Sequence, residues 1–241
     1  MKSPIPILMY HQVDEPPPSG TPMRGMVVSP GSFARQMKLL KLLGYKGLAL
    51  RDLMPYLRGE KVGRVVGITF DDGYRNNLDN ALPALKGNGF TGTCYAVSHA
   101  LGGTNAWDSA LGVPPKPLMG REEFRTWLDA GMEVGAHSRD HIDLLGCPTD
   151  AARDQIAGSR YDLENALGTE VRHFCYPYGR YNAEHEKLAE AAGYHTATTV
   201  QRGRAREGDS LFALPRVLIA QSTNLGHLLL KLKTGYEDKR R

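Results

Sequence analysis

The stretch Val65-Val66-Gly67-Ile68-Thr69-Phe70-Asp71-Asp72-Gly73 (VVGITFDDG) combines an apolar run with two acidic residues and a glycine. The apolar part predicts a buried strand that ends at Phe70. The glycine is typical of a tight turn after a strand. Two adjacent carboxylates in a half-buried cleft repel each other, and a bound cation removes this conflict. The stretch therefore indicates a strand with a metal site at its carboxyl end.

Similar apolar runs alternate with helical patterns along the chain. The predicted strands are Ile5–Tyr10, Lys46–Ala49, Val65–Phe70, Thr93–Val97, Met132–Ala136, His173–Tyr176, Thr196–Thr199 and Arg216–Ile219. The predicted helices are Ser32–Leu43, Arg51–Arg58, Leu82–Gly87, Arg121–Ala130, Asp150–Leu167, Ala183–Ala192 and Asn224–Lys233. About seven strand–helix units imply parallel strands with crossover helices, which favours an irregular (β/α)7-type barrel of the α/β class. A doubly wound open sheet is the alternative.

Composition indicates an ordinary globular protein of 241 residues with a formal net charge of +4. No linker separates two domains, so we expect one domain over residues 1–241, with a basic tail at about 234–241. The basic residues in this tail and just before it are Lys231, Lys233, Lys239, Arg240 and Arg241. We expect a solvated tail, with peripheral contact to an anionic membrane surface as the alternative. No basic stripe interleaved with aromatic residues is present, which argues against nucleic acid as a partner.

The N-terminal residues, 1–6, lack the apolar region of a signal peptide, and no run approaches the ~20 apolar residues of a transmembrane helix. A cytoplasmic location is expected for the chain as written, and an exported enzyme with a trimmed signal is the alternative. Two long loops, Pro16–Pro30 and Gly102–Pro117, are rich in proline and glycine. They either line a cleft or are surface excursions.

A second reactive segment, His137-Ser138-Arg139-Asp140-His141, follows the predicted strand Met132–Ala136. Spacing of i, i+4 would place both imidazoles on one face of a helical turn. One carboxylate and two imidazoles make a facial metal site with open positions, and the other carboxylate is then free to act as a base. A turn aspartate pair and a solvated helix face are the structural alternatives. The joint pattern favours metal-assisted hydrolysis.

These motifs resemble those of the NodB-homology polysaccharide deacetylases, carbohydrate esterase family 4. The resemblance rests on Thr69–Gly73, on His137-Ser138-x-x-His141 and on Phe174-Cys175-Tyr176-Pro177-Tyr178-Gly179. The opening Ile7-Leu8-Met9-Tyr10-His11-Gln12-Val13 is similar to the branch that includes the poly-β-1,6-N-acetylglucosamine deacetylases. The resemblance implies a deacetylase-like β/α barrel.

The resemblance also implies a role for each matching residue. Asp71 would be the general base, and Asp72, His137 and His141 would bind one divalent metal ion, usually Zn²⁺. Many family members carry their general acid in a late Leu-x-His motif, which is absent here. In the branch resembled, the acid comes from the N-terminal Tyr-His motif, which makes His11 the candidate.

The chain departs from the family pattern in the third motif. Many members have an arginine before the Pro-Tyr pair, and Cys175 lies at or near that position here. Arg216 is the expected substitute that holds the catalytic carboxylate ionised, with a surface arginine as the alternative. The predicted substrate-binding residues are Tyr178, Pro177 and Arg216. Trp107-Asp108 is not a match to the family's Asp-x-x-Asp-Trp pattern.

The expected function is removal of N-acetyl groups from an N-acetylated amino sugar or polysaccharide, with release of acetate. The expected partner is an N-acetylated glycan or a lipid- or nucleotide-linked amino sugar. Two alternatives stay open: metal-dependent hydrolysis of a non-sugar amide such as a cyclic imide or ureide, and a non-catalytic glycan-binding domain.

Overall fold

A parallel sheet forms the centre of the protein. The computed structural model describes residues 3–240, with the side chain of residue 240 excepted. The strands are β1 (Ile7–Tyr10), β2 (Gln12–Val13), β3 (Val27–Val28), β4 (Lys46–Leu48), β5 (Val65–Phe70), β6 (Thr93–Ala96), β7 (Glu133–Ala136), β8 (His173–Cys175), β9 (Thr196–Arg202) and β10 (Leu214–Leu218). Strands β2 and β3 pair with each other outside the main sheet.

The main sheet closes on itself as a barrel. Its strand order is β1-β10-β9-β8-β7-β6-β5, and β1 pairs again with β5, with Ile7 opposite Gly67. Strand β4 pairs with the first half of β5, and the Thr91 amide donates to the Gly47 carbonyl, so β4 lies between the beginnings of β5 and β6. The predicted seven-stranded barrel is confirmed, and the alternative open sheet is wrong because β1 and β5 are hydrogen-bonded.

Helices follow the strands in the predicted alternation. They are α1 (Pro30–Leu42), α2 (Leu50–Leu57), α3 (Leu82–Asn88), α4 (Arg121–Asp129), α5 (Thr149–Leu167), α6 (Ala183–Ala191) and α7 (Leu225–Lys233). Helix α1 begins at Pro30 because Ser29 caps it by accepting from the Ser32 amide. A π-helical turn, Asn77–Ala81, leads into α3 and was not predicted.

Side chains on the strands alternate between the barrel interior and the layer beneath the helices. On β5, Val66, Ile68 and Phe70 join the large core under the helices, whereas Val65 belongs to a smaller cluster. That cluster takes residues from strands around the barrel: Ile7, Val65, Tyr95, Cys175 and Leu214. Odd-numbered positions of β5 therefore face the interior, and Asp71 enters the barrel mouth.

An aromatic cluster outside the barrel supports the end of β5. The Phe70 ring lies 5.6 Å from Tyr10, 5.8 Å from Phe33 and 5.8 Å from Trp127, measured between ring centroids. Such pairs contribute about 0.5–1.5 kcal/mol each beyond their buried area. The strand end that carries the two aspartates is thus held from behind by rigid packing.

The C-terminal segment is anchored to the barrel through its acidic residues, whereas Lys239 of the predicted basic tail is exposed. Glu237 is fully buried and binds Arg202 and Lys231, while Asp238 binds two further arginines. Lys231 is itself buried and is therefore not available to a membrane surface. Arg241, which belongs to the predicted tail, lies outside the described residues. Between residues 3 and 240, no helix combines the length and apolar character needed to span a bilayer.

Candidate active site

Four of the candidate residues reach the barrel mouth because they occupy inward-facing strand positions. Asp71 follows β5 and His137 follows β7, each two residues beyond an inward-facing position. His11 directly follows β1, whose Leu8 and Tyr10 face the helix layer. Arg216 lies within β10, which pairs with β1 on the side away from β5. The carboxyl ends of parallel strands thus place these groups together.

Arg216 binds Asp71 in a buried, two-point ion pair. Nη1 donates to Oδ1 at 2.6 Å and Nη2 donates to Oδ2 at 2.7 Å, with the side chains 0% and 3% exposed. The guanidinium also donates to the Thr69 hydroxyl, the Thr199 carbonyl and the Cys175 sulfur. Burial alone would raise the pKa of Asp71, but the charge and hydrogen bonds of Arg216 lower it. The carboxylate therefore stays ionised.

Asp72, His137 and His141 converge on one point. Asp72 Oδ1 lies 3.4 Å from His137 Nε2 and 3.3 Å from His141 Nε2, and the three ligand atoms all lie within 4.8 Å of one another. Ligands about 2.0–2.2 Å from a tetrahedral ion are roughly 3.3–3.6 Å apart, so the spacing fits a metal ion. Burial would raise the pKa of Asp72, but hydrogen bonds from both imidazoles lower it well below its usual value.

A second group of potential ligands, Asp71, His137 and Cys175, overlaps the first. Arg216 Nη2 lies 2.7 Å from Asp71 and 3.2 Å from the Cys175 sulfur. A metal ion at this position would face a fixed positive charge, which is unfavourable. The set that contains Asp72 is therefore the metal-binding candidate, and Asp71 is free for proton transfer.

The segment between the two histidines is an irregular loop, so the predicted helical turn is wrong. Strand β7 ends at Ala136, and Ser138 and His141 have φ angles of 62° and 54°. The Ser138 hydroxyl accepts from the His141 amide at 3.0 Å, which stabilises the turn. His137 Nδ1 donates to the Cys175 carbonyl at 2.7 Å, which leaves its Nε2 lone pair available for a metal ion.

Left-handed backbone conformations are concentrated at this site. Within residues 3–240, the non-glycine residues with positive φ are Met23, Asp72, Ser138, His141 and Tyr178. Four of them line the pocket described below, and Ser138 lies between two of the candidate ligands. Each such conformation costs about 1–3 kcal/mol and persists only where its surroundings hold it. Their clustering is typical of a functional site.

His11 lies beside Asp71, on the pocket side. Its Nε2 is 4.0 Å from Asp71 Oδ2, and its side chain is 17% exposed. Among the described residues its Nδ1 is buried without a hydrogen-bond partner. Asn77, in the π-helical turn, donates to the His11 carbonyl at 2.7 Å and accepts from the Val13 amide at 3.1 Å. The backbone of His11 is thus held by a side chain of the π-helical turn that leads into α3.

These groups open into one pocket of about 370 Å³. Its lining residues are Met9, His11, Met23, Met26, Asp71, Asp72, Trp107, Asp108, His137, His141, Tyr176, Tyr178, Val200, Arg202 and Leu218. Tyr178 packs edge-on against His141, 4.6 Å between ring centroids, and is 45% exposed. Pro177 and Arg216, which were predicted to contact substrate, are buried and are not among the residues that line this pocket. Pro177 begins the turn that presents Tyr178, and Arg216 orients Asp71.

Comparison with known proteins identifies the family. The sequence profile of the family described as polysaccharide deacetylase matches residues 58–197. YxkH of Bacillus subtilis (strain 168), which carries the name of a polysaccharide deacetylase, is 30% identical over 218 residues, 90% of this chain and 71% of the relative. The chain belongs to the polysaccharide deacetylase family. It is therefore a deacetylase, which disfavours the non-catalytic glycan-binding alternative.

Solved structures show the same fold as this polysaccharide deacetylase. The Streptococcus pyogenes deacetylase PplD, solved in complex with acetate, is 24% identical with a TM-score of 0.84, covering 97% of this chain and 100% of that chain. BC0361, a polysaccharide deacetylase from Bacillus cereus, is 26% identical with a TM-score of 0.80, covering 96% and 70%. The family profile spans Asp71, Asp72, His137 and His141 but does not reach His11.

Trp107 and Asp108 of the deacetylase were not among the predicted site residues. Both line the pocket, and the Trp107 ring stacks on His141 at 4.5 Å between centroids. They lie in the long loop Gly102–Pro117, and Met23 and Met26 come from the other long loop. Both loops therefore line the cleft. Their proline and glycine content was a usable signal, but it does not say which side chains point inward.

Proposed function

We propose that this polysaccharide deacetylase is a metal-dependent hydrolase that removes N-acetyl groups from an N-acetylated amino sugar. The observation that carries the proposal is the adjacency of two acidic groups with different partners. Asp72 faces His137 and His141 at metal-ligand spacing, and Asp71 is held separately by Arg216. Metal-assisted hydrolysis of an amide uses a metal site and a base, and this arrangement provides for each.

Asp72, His137 and His141 would hold the ion, and Zn²⁺ is the proposed metal because one carboxylate and two imidazoles at tetrahedral spacing suit it. When bound, zinc acts as a Lewis acid toward the amide carbonyl and toward water. Three protein ligands leave a position open for chemistry. The hydrogen bond from His137 Nδ1 to the Cys175 carbonyl fixes the ring orientation that this role requires.

Asp71 accepts a proton from the water that attacks the acetamide carbon. Arg216 donates one hydrogen bond to each carboxylate oxygen of Asp71 and keeps the carboxylate ionised. The base is therefore charged and oriented before substrate binds. The backbone N–H of Tyr178, whose φ of 57° turns the chain at the pocket wall, is the proposed donor to the developing oxyanion.

His11 donates a proton to the departing sugar amine. It lies on the pocket side of Asp71, with Nε2 4.0 Å from that carboxylate. The rings of Trp107 and Tyr178 wall the pocket on either side of His141 and would contact the acetyl group or the sugar. PplD, which shares this fold, was solved with acetate, the product expected here.

Acetate release from N-acetylglucosamine oligomers by the zinc-loaded protein tests the proposal. Asp71→Asn and Asp72→Asn form a matched pair of variants, because the same substitution is made at two adjacent positions. We expect Asp71→Asn to bind zinc and lose about 10²- to 10⁴-fold in kcat, because the base is removed while the three candidate ligands remain. Asp72→Asn should lose zinc, measured by metal analysis after dialysis.

The opposite pattern, with zinc lost in Asp71→Asn and kept in Asp72→Asn, would mean that the two roles are reversed. Hydrolysis of cyclic imides without acetate from any N-acetyl sugar would move the assignment to the non-sugar amide class.

A further inference from the structure

One wall of the pocket carries a permanent positive charge. Arg202, the last residue of β9, is the only arginine or lysine among the described residues that line the pocket. Its side chain is 28% exposed. Nε and Nη2 donate to the two oxygens of Glu237 at 2.6 and 2.8 Å, which leaves Nη1 outside this fork. The arginine is therefore anchored on one edge of its guanidinium while the residue lines the pocket.

Glu237 does not neutralise Arg202 by itself, because it has a second cation. Lys231 Nζ donates to Glu237 Oε1, and Glu237 is 0% exposed. Two cations thus share one buried carboxylate, and within residues 3–239 the ion pairs of this group leave one positive charge in excess. Isolated charge near a partly enclosed surface attracts an anion, since the low dielectric strengthens the interaction.

The carboxylates of the pocket do not supply that counter-ion by the contacts they make. Asp71 pairs with Arg216, and Asp72 faces the two histidines of the proposed metal site. Asp108, the third carboxylate in the lining, forms no ion pair with Arg202 among the described residues. Much of the remaining lining is apolar or aromatic, including Met23, Trp107 and Val200. A neutral sugar would leave the excess positive charge on this wall without a counter-ion.

We propose that Arg202 recognises an oxyanion, a phosphate or carboxylate group, carried by the N-acetylated amino sugar. The inference rests on the proposed function and narrows its substrate class. Arginine is suited to this task because a guanidinium carries five N–H groups: the fork of Nε and Nη2 to Glu237 holds it in place, and Nη1 and the second N–H of Nη2 lie outside these two bonds. Lys231 assists because it also pairs with Glu237 and offsets part of its negative charge.

The test compares monosaccharides of similar size that differ in charge. The neutral substrate is N-acetylglucosamine; the anionic ones are its 1-phosphate, its 6-phosphate and N-acetylmuramic acid, which separate phosphate from carboxylate. We expect at least one anionic sugar to have a higher kcat/KM, with a preference that weakens as salt rises. Arg202→Gln should lower that preference about tenfold to hundredfold, as expected for hydrogen bonds to a charged group. Arg202→Lys should restore part of it.

Arg204→Gln is the matched control. Arg204 lies two residues further on, binds Asp238 in the same C-terminal segment and does not line the pocket. The Arg204→Gln variant should keep the wild-type preference for anionic sugars. Equal losses for neutral and anionic sugars in Arg202→Gln, or no preference in the wild type, would overturn the inference and make Arg202 a structural tie to Glu237.

Dissociation constants of the same sugars, measured by calorimetry, separate this inference from the proposed function. Preferential binding of an anionic sugar that is lost in Arg202→Gln supports the oxyanion site even if no acetate is released. Acetate release from all sugars alike, with equal affinities, would overturn the oxyanion site and leave the deacetylase proposal standing.

Discussion

Replacing Arg216 with methionine removes the positive charge behind Asp71 while keeping an apolar side chain of similar length. Arg216 is 0% and Asp71 3% exposed, so the remaining carboxylate would be buried without a counter-ion. Removing one partner of a buried ion pair costs about 3–5 kcal/mol. The Thr199 carbonyl also loses its hydrogen bond from the guanidinium, so we expect the upper part of that range at neutral pH.

The loss should depend on pH in a defined direction. In the wild type the pKa of Asp71 is lowered, so the ion pair contributes fully above the unfolded-state pKa and is lost as pH falls through the folded-state pKa. In Arg216→Met, burial raises the pKa of Asp71 and is opposed only by the weaker effects of His11 and His137. Ionised Asp71 then destabilises the folded variant at higher pH, and protonation of Asp71 removes this destabilisation. The difference in unfolding free energy should therefore shrink from neutral pH toward about pH 4.

Urea unfolding in a chelator at several pH values measures this difference. The double variant Asp71→Asn/Arg216→Met completes a cycle in which the buried charge is removed together with its partner. We expect the sum of the losses in unfolding free energy of the two single variants to exceed the loss of the double variant by at least about 1–3 kcal/mol. Additive losses within about 0.5 kcal/mol, or a difference that does not change with pH, would refute the buried pair as described. Arg216→Lys, which keeps the charge but not the fork, should fall between the two.

Two further predictions concern other parts of the molecule. His11→Gln should keep zinc and lose about 10²- to 10⁴-fold in N-acetyl sugar hydrolysis, but much less with 4-nitrophenyl acetate, whose leaving group needs no proton; equal losses on both substrates would contradict its role as acid. Gly135→Ala should lower the free energy of unfolding by about 1–3 kcal/mol or more, because its Cβ would lie 2.5 Å from the Tyr95 ring and 2.8 Å from the His173 carbonyl. Gly87→Ala, in α3 with nothing within 4 Å, is its control and should be neutral or stabilising in thermal unfolding.

The strand pattern predicted more of the site than the motifs alone suggest. Each apolar run was found as a strand, and the period of two within a strand determines which side chains enter the barrel. From the outward-facing Phe70 and Ala136 it follows that Asp71 and His137 point inward. This part of the site is local, since it depends on the strand to which each residue belongs.

The parts that the sequence did not predict depend on long-range packing or on loop conformation. Arg216 was the predicted partner of the catalytic carboxylate, with a surface arginine as the alternative, and sequence could not decide between the two. The ring order decides it, because β10 lies next to β1, which in turn pairs with β5. Spacing of i, i+4 suggested a helical turn, but the loop from His137 to His141 has left-handed residues that spacing does not show. Trp107 reaches His141 through a loop with no periodic pattern, so its position had no local signal.

The different roles of Asp71 and Asp72 depend on a single backbone feature. In a continuing strand, adjacent side chains face opposite sides, and Asp72 would point toward the helix layer, where a carboxylate is unfavourable. Its φ of 73°, followed by 79° at Gly73, turns the chain so that its carboxylate also enters the mouth, toward the histidines. Asp71 keeps the strand direction and meets Arg216 instead. One left-handed aspartate thus converts a repelling pair of neighbours into two groups with separate partners. Its strain is offset if a metal ion binds there, because the ion neutralises the carboxylate that the turn has buried.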